Sequence, residues 1–484
     1  MTRQPRRIEH GTNTGPRDAI RAWIAASGRY PSSPAGPDAD EAQPSHGSRL
    51  LETTFRLTER QTTPRVEIIA GITTFLAASY LLVVIPSILS TAGIDRAGAT
   101  TTTILLFVGA TTLMALYANL PFIVGPGIGG SVIVAISMAG TEHVPWPVGL
   151  GVAFWSGILF FILTVTGMRT LITRMVPVQI KLSLSAAIGV FIAVLGFRNA
   201  GLVLANARTN ALALGDFTTP GAIIALVGLA IMVVLRARKI PGGILLGILG
   251  ATAVGVPLGV TKLPSTIFSL PTDISLVTLQ LDPIGALRPL LFPYLFAFFA
   301  AEFFSTMGTT LAVGGKAGLL DENGNMPDIN KPFVVDSIGA SIGPLFGIPA
   351  LTALIESAAG AEAGGRTGLT ALTAAVCFLL ALLLVPVALM IPVQATAPAL
   401  ILIGLSMFSG IRAVDLEHFT EGLPAVLTVL LTLLSNSFGT GIAGGLLSYV
   451  LVKVLAGEWR QVSIGMYILA VPLAYYFWTV VGPR

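Results

Sequence analysis

Two carboxylates stand in stretches of chain that are otherwise apolar. Glu356 lies in Gly347 to Gly368, GIPALTALIESAAGAEAGGRTG, among alanines and glycines too small to cover it. Glu302 lies in Phe298-Phe-Ala-Ala-Glu-Phe-Phe-Ser-Thr-Met-Gly308, with Ser305 and Thr306 three and four residues further on. Those spacings share one face of a helix. A charge at the centre of a membrane helix costs roughly 2.5–3.5 kcal/mol on insertion scales, so an ionisable group there marks a functional site. A carboxylate drawn out of water takes up a proton more readily. Glu302 and Glu356 are therefore candidates for hydrogen-bonding a ligand, for proton coupling, or for both.

Two broken segments would complete such a site. In Asn119-Leu-Pro-Phe-Ile-Val-Gly-Pro-Gly-Ile-Gly-Gly-Ser131, two prolines and the glycines up to Gly130 forbid a continuous helix, which can then run from about Ser131 through Met138. Pro349 similarly precedes Thr352 and a half-helix expected to contain Glu356. The first N–H groups of a helix lack partners within it, and its dipole is positive there. Inside a bilayer such groups must be met by protein or by a polar ligand. The substrate-binding set expected from these residues is Glu302, Glu356, Ser131, Gly130, Ser305 and Thr352. Asp336 reads as a structural cap or pair, Tyr80 and Tyr117 as packing or interface residues, and Asn436 as a group that satisfies backbone near a break.

The elements that must position these residues are membrane helices. The chain has 484 residues, 54% hydrophobic and 11% charged, with mean hydropathy +0.83. Soluble domains carry about 25% charged residues, so this is a polytopic membrane protein. The one cysteine, Cys377, allows no disulfide within the chain. The net charge of +4 is small and points to topology rather than to nucleic acid. An enzyme is poorly supported: the four histidines lie in the tail or loops, there is no histidine–cysteine metal cluster and no phosphate-binding loop. The acidic turn Asp321 to Asp328 lacks the ligand spacing of a calcium loop.

Residues 1–55 read as a disordered cytoplasmic tail, and the pair Arg6-Arg7 lacks the apolar run that a twin-arginine signal needs. Apolar segments are expected at about 67–90, 101–118, 122–139, 147–167, 180–198, 220–236 and 240–257. A second series is expected at about 289–313, 332–347, 349–363, 368–390, 394–411, 423–437 and 439–456, and 464–481 is an extra span or a helix lying on the membrane. Twelve basic residues fall in the loops on the side of the N-terminus, against five in the opposite loops, which puts the N-terminus in the cytoplasm. Met175-Val-Pro-Val-Gln179 recurs as Met390-Ile-Pro-Val-Gln394, Phe217-Thr-Thr as Phe419-Thr-Glu, and Gly242-Gly-Ile-Leu as Gly444-Gly-Leu-Leu. An odd number of spans per copy inverts the second copy, and inverted repeats with paired broken helices are a transporter signature.

The motif Ile355-Glu-Ser-Ala-Ala-Gly360 followed by Ala363-Gly-Gly-Arg-Thr-Gly368 resembles that of the AzgA-like purine permeases of the nucleobase–ascorbate transporter superfamily. Glu67-Ile-Ile-Ala-Gly-Ile-Thr-Thr-Phe75, Pro86-Ser-Ile-Leu89, Lys316-Ala-Gly-Leu-Leu320, and Ala118-Asn-Leu-Pro-Phe122 with Gly125-Pro-Gly-Ile-Gly129 support the resemblance, which covers about residues 55–480. It implies an all-α membrane protein of two inverted seven-span repeats, 56–258 and 289–457, joined by an outer linker 259–288 and followed by a C-terminal helix in 458–484. It implies a core domain, 67–167 with 289–390, a gate domain, 180–257 with 394–456, and short extended segments in spans 3 and 10. It further implies proton-coupled import of hypoxanthine, adenine or guanine by alternating access. The base would be held by carboxylates that fall here at Glu302 and Glu356. No cofactor is implied beyond protons as coupling ion, and a homodimer is possible in the plasma membrane. The family usually has Asp where this chain has Glu302 and Ser305, and Asn where it has Ser131. The competing reading is an anion or small-solute transporter on the same fold, since helix N-termini also suit anions.

Overall fold

Proline, glycine and capping residues divide the apolar chain into its helices. The computed structural model describes residues 46–167, 177–205, 212–321 and 325–481. Residues 50–484 form one compact unit, which contains every candidate site residue. A short helix α1 (His46–Phe55) is followed by α2 (Pro64–Ala78), with Thr63 as its cap and Pro64 in the first turn, where a missing N–H costs nothing. Next come α3 (Leu81–Ser90) and α4 (Arg96–Leu113), the latter capped by Asp95 and prolonged by a π turn, Met114–Ala118. The chain then reverses at Asn119, which adopts a left-handed conformation, one that Asn tolerates better than most residues.

The first broken segment follows. It is the strand β1 (Val124–Pro126), the five-residue helix α5 (Ile128–Val132) and a π-helical stretch, Ile133–Thr141. The first half ends with α6 (Trp146–Val165), α7 (Val178–Asn199), the hairpin β2 (Val203–Ala205) and β3 (Leu212–Leu214), α8 (Pro220–Ala237) and α9 (Gly243–Gly255). The second half runs through α10 (Phe292–Lys316), α11 (Asn330–Ile342), β4 (Leu351–Ala353), α12 (Ser357–Glu362), α13 (Gly368–Ala381) and α14 (Val385–Met390). It closes with α15 (Val393–Phe408), α16 (Phe419–Ser435), α17 (Phe438–Leu455) and α18 (Ile464–Val481).

Among the described residues, nine of these helical segments are long and apolar enough to cross a membrane, and shorter apolar helices lie at Ile128–Thr141, Gly243–Gly255, Phe419–Ser435 and Ile464–Val480. The protein is an all-α polytopic membrane protein with a seven-segment repeat in each half. The third segment of each half is broken by a strand. β1 and β4 pair antiparallel, with Gly125 opposite Thr352 and Pro126 opposite Leu351. The ladder continues through Leu354 N to Ile123 O at 3.1 Å and Gly127 N to Ala350 O at 3.3 Å. Gly125 has no alternative here: a Cβ on it would lie 2.1 Å from Phe107 Cε1.

The helices pack most extensively in two sets. In one, α13 lies on α2 and α4, α12 on α2, and α6 on α10 and α11; in the other, α7 lies on α15 and α16, α17 on α16, and α8 on α9 and α15. The last helix, α18, packs along α17 and touches α10.

The helical region begins earlier than the sequence reading placed it. Residues 46–55, expected to belong to a disordered tail, form α1; Leu51 and the buried Phe55 pack with Leu57 and Leu369, an apolar pairing too short to register as a period. The rest of that tail, the Arg6-Arg7 pair, the loop arginines 169, 174 and 208, Met175 of the repeat and residues 322–324 of the acidic turn lie outside the described residues.

Candidate functional site

The site is built around the start of α5. Gly127 caps that helix in an extended conformation. A Cβ placed on it would stand 3.7 Å from Glu302 Oε1 and 3.6 Å from Thr352 Cγ2. The carboxylate of α10, the hydroxyl residue of β4 and the positive end of α5 thus converge. Glu302 is only 5% exposed, and its Oε2 is buried with no hydrogen-bond partner among the described residues. A buried carboxylate oxygen without a donor is costly unless something else supplies one. Gly130 lies one turn on; a Cβ there would lie 3.4 Å from Phe298 Cε1 and 3.7 Å from Pro349 and Ala350. The Phe298 ring, the first turn of α5 and the Glu302 carboxylate are therefore close neighbours.

Behind Thr352 stands Asp336, fully buried on α11. Its Oδ2 accepts from Ala353 N at 2.8 Å and from Thr306 Oγ1 at 2.7 Å, with Thr352 Oγ1 at 3.5 Å. Thr306 Oγ1 also lies 2.9 Å from the carbonyl of Glu302. Asp336 thus ties β4 to the turn of α10 that carries Glu302.

Glu356 is half-buried in the turn between β4 and α12, four residues beyond Thr352. Its Oε1 accepts from the hydroxyl of Tyr80 at 2.6 Å. Tyr80 is 1% exposed and sits at the junction of α2 and α3.

The remaining signature residues form a brace. Buried Glu67, in the first turn of α2, accepts from the backbone N–H groups of Arg366, Thr367 and Thr370 at 2.9, 3.2 and 3.2 Å, and from Thr370 Oγ1 at 2.6 Å. Asn119 Oδ1 accepts from Gly368 N at 2.8 Å while its amide donates to Phe55 O at 3.0 Å. Two separate sequence motifs are therefore one hydrogen-bonded joint at the start of α13.

Several sequence expectations shift. The helix after the glycines starts at Ile128, not at Ser131, because Gly127 can already cap it. Ser131 is one turn inside, buried, with its hydroxyl 3.1 Å from Gly127 O. Glu356 precedes α12 rather than lying in it, and the opening amides of α12 are met by Leu354 O, Ile355 O and Glu356 O at 2.9–3.1 Å. Only α5, not both half-helices, presents an open N-terminus. Ser305 is exposed and no described hydrogen bond joins it to Glu302. Tyr80, expected to be packing, holds a site carboxylate. Its signal in the sequence was a phenol inside an apolar run, which needs a partner when buried. Asp336 was placed among structural groups, and its Ala353 bond could not be read from spacing.

Comparison with known proteins follows the same lines. A permease family model, Xan_ur_permease, matches residues 65–443. A putative permease of Methanocaldococcus jannaschii is 38% identical over 89% of this chain and 98% of its own. The guanine/hypoxanthine permease GhxP of Escherichia coli O157:H7 is 37% identical over 88% and 96%, and the adenine permease AdeQ of Escherichia coli K12 is 35% identical over 88% and 96%. Among solved structures, the transmembrane domain of the cyanobacterial bicarbonate transporter BicA matches with TM-score 0.58 at 16% identity, over 77% of this chain and 96% of that one. SLC26A9 matches with TM-score 0.57 at 14% identity, over 88% and 73%. These two share the fold. With its paired broken segments, its carboxylates at the break and a family match over most of its length, the chain belongs to the permease family that this model describes and is a transporter rather than an enzyme.

Proposed function

We propose that the protein is a secondary active importer of purine nucleobases: hypoxanthine, adenine, guanine or a related base. The observation that carries the reading is the unpartnered Oε2 of Glu302 beside the open N-terminus of α5. A purine presents N–H donors and carbonyl or ring-nitrogen acceptors on one flat edge. A carboxylate would accept its N–H groups, the α5 amides would donate to its acceptors, and the Phe298 ring would lie against the plane. Glu356, held by Tyr80 in the turn that follows β4, would supply a second acceptor. The guanine/hypoxanthine and adenine permeases to which the chain is similar support this choice of base.

In this reading, import is proton symport. A proton and a base enter together because a carboxylate that binds a neutral base in a dry site is better tolerated when protonation removes its charge. The two packing sets are core and gate, and rigid motion of one against the other exposes the site alternately, with the N-terminus in the cytoplasm of a plasma-membrane protein. A homodimer is compatible with this arrangement. The test is an uptake screen of labelled purines, pyrimidines and oxidised purines in cells lacking their own permeases, alongside chloride and bicarbonate flux in proteoliposomes. Saturable purine uptake supports the reading. Uptake confined to pyrimidines would overturn the base, and anion flux with no purine competition would favour the anion alternative.

A further inference from the structure

A further carboxylate, at the end of the segment that begins at Gly127, gathers hydroxyls from three other parts of the chain. Glu142 directly follows the π-helical stretch that begins after α5. Its Oε1 accepts from Tyr294 OH at 2.5 Å, Ser437 Oγ at 2.6 Å and Tyr476 OH at 2.8 Å. Tyr294 lies in the first turn of α10, Ser437 caps α17, and Tyr476 belongs to α18. Both tyrosines are fully buried.

The hydroxyl protons around it can be assigned. Ser137 Oγ accepts from Phe438 N at 2.7 Å and lies 3.0 Å from Tyr294 OH, so its proton goes to Tyr294. Ser437 Oγ accepts from Thr440 N at 3.2 Å, and Thr440 Oγ1 lies 3.3 Å from Tyr476 OH, to which it donates. The protons of Tyr294, Ser437 and Tyr476 then all end on Glu142. Glu142 Oε1 is thus the common acceptor on which the three hydroxyls converge. A second joint lies beside it: Thr141 Oγ1 is 2.9 Å from Asn436 O and accepts from Asn436 Nδ2 at 3.0 Å.

These contacts cross between the two packing sets. Ser137, Thr141, Glu142 and Tyr294 stand on the segments that also carry Gly127 and Glu302, whereas Asn436 and Ser437 form the link between α16 and α17, and Phe438 and Thr440 lie in the first turn of α17. The segment that opens beside Glu302 therefore ends in this cluster, and motion of one set against the other has to break it.

We propose that Glu142 is a positioning residue for transport: with Tyr294, Ser437 and Tyr476 it forms a latch that fastens the Glu302-bearing set to the α16–α17 link and α18, and that opens once in each transport cycle. The inference rests on the alternating-access reading above. It assigns a task to Tyr476 and hence to α18, which the substrate site does not use.

The test uses the full-length protein with Cys377→Ala, Thr141→Cys and Asn436→Cys, whose thiols would lie within bridging distance. Oxidation or Hg²⁺ should abolish purine uptake at least tenfold, and reductant should restore it. Hypoxanthine binding followed by thermal shift should survive the bridge, because the latch does not touch the base. A second measurement needs no substrate: alkylation of Thr141→Cys alone by a membrane-impermeant maleimide. Tyr476→Phe or Ser437→Ala should raise its rate at least threefold by loosening the latch. If no purine is carried even without the bridge, the reading of the substrate fails, and the alkylation rate alone decides the latch. A verified bridge that leaves uptake intact, or alkylation rates unchanged by both variants, would overturn it.

Discussion

The hydroxyl of Tyr80 donates to Glu356 Oε1 at 2.6 Å across 276 positions of sequence. That bond anchors the junction of α2 and α3 to the turn between β4 and α12. Tyr80 has no other hydrogen-bond acceptor described for its hydroxyl, and burial makes the partnership matter. A hydrogen bond to a charged group is worth roughly 1.5–3 kcal/mol. Tyr80→Phe should therefore lower hypoxanthine affinity or uptake by about ten- to hundredfold while leaving surface expression near that of the wild type. Glu356→Ala should lose more, because it removes the carboxylate itself. Uptake assays at matched expression, with KM and maximal rate separated, check both.

Asp336 offers a contrast between site and scaffold. Asp336→Ala would leave Ala353 N without its acceptor in a buried place, whereas Thr306 Oγ1 keeps the Glu302 carbonyl. Such a group costs roughly 1–3 kcal/mol. The variant should lose several degrees of thermal stability in detergent as well as uptake. Asp336→Asn keeps an oxygen for Ala353 N and should recover part of the stability. Equal melting of both variants with the wild type would detach Asp336 from β4.

Glu67 should matter without touching any ligand. Its carboxylate meets four donors from the Arg366–Thr370 stretch, three of them backbone. Glu67→Ala should sharply reduce the amount of folded protein recovered from membranes, and Glu67→Gln should fall between. Fluorescence-detected size-exclusion of a tagged protein measures this directly.

Gly125 should tolerate no side chain. The Phe107 ring occupies the position of its Cβ and stacks on Phe378 with ring centroids 4.4 Å apart. Gly125→Ala should destabilise the β1–β4 pair and abolish uptake. The double variant Gly125→Ala/Phe107→Leu should recover part of the folded yield, since Leu can move where a stacked ring cannot. No recovery would place the cause of the loss elsewhere than in this clash.

The positions of the breaks were legible in the sequence because proline and glycine act locally. Pro121, Pro126 and Pro349 limit their own backbones whatever surrounds them, so the third segment of each half was readable as part strand, part helix. The apolar segments were readable for the same reason: solvent preference is a property of each residue. What could not be read was pairing over distance. Nothing near Glu356 names Tyr80, and nothing near Asp336 names Ala353, because those bonds are set by how helices cross. The start of α5 was misplaced by one turn since several glycines in a row give equal licence to begin. Glu142 drew no notice because a carboxylate next to His143 and Pro145 reads as a loop residue, until Tyr294 and Tyr476 are brought against it.

In the proposed function Glu302, beside Gly127, holds a purine during import. The most direct measurement is initial uptake of labelled hypoxanthine, adenine and guanine by cells lacking their own purine permeases, comparing wild type with Glu302→Gln at equal surface expression. Saturable wild-type uptake of at least one base is expected, abolished by a protonophore and reduced by at least tenfold in Glu302→Gln. Wild-type uptake that Glu302→Gln leaves undiminished would contradict the assignment of the site.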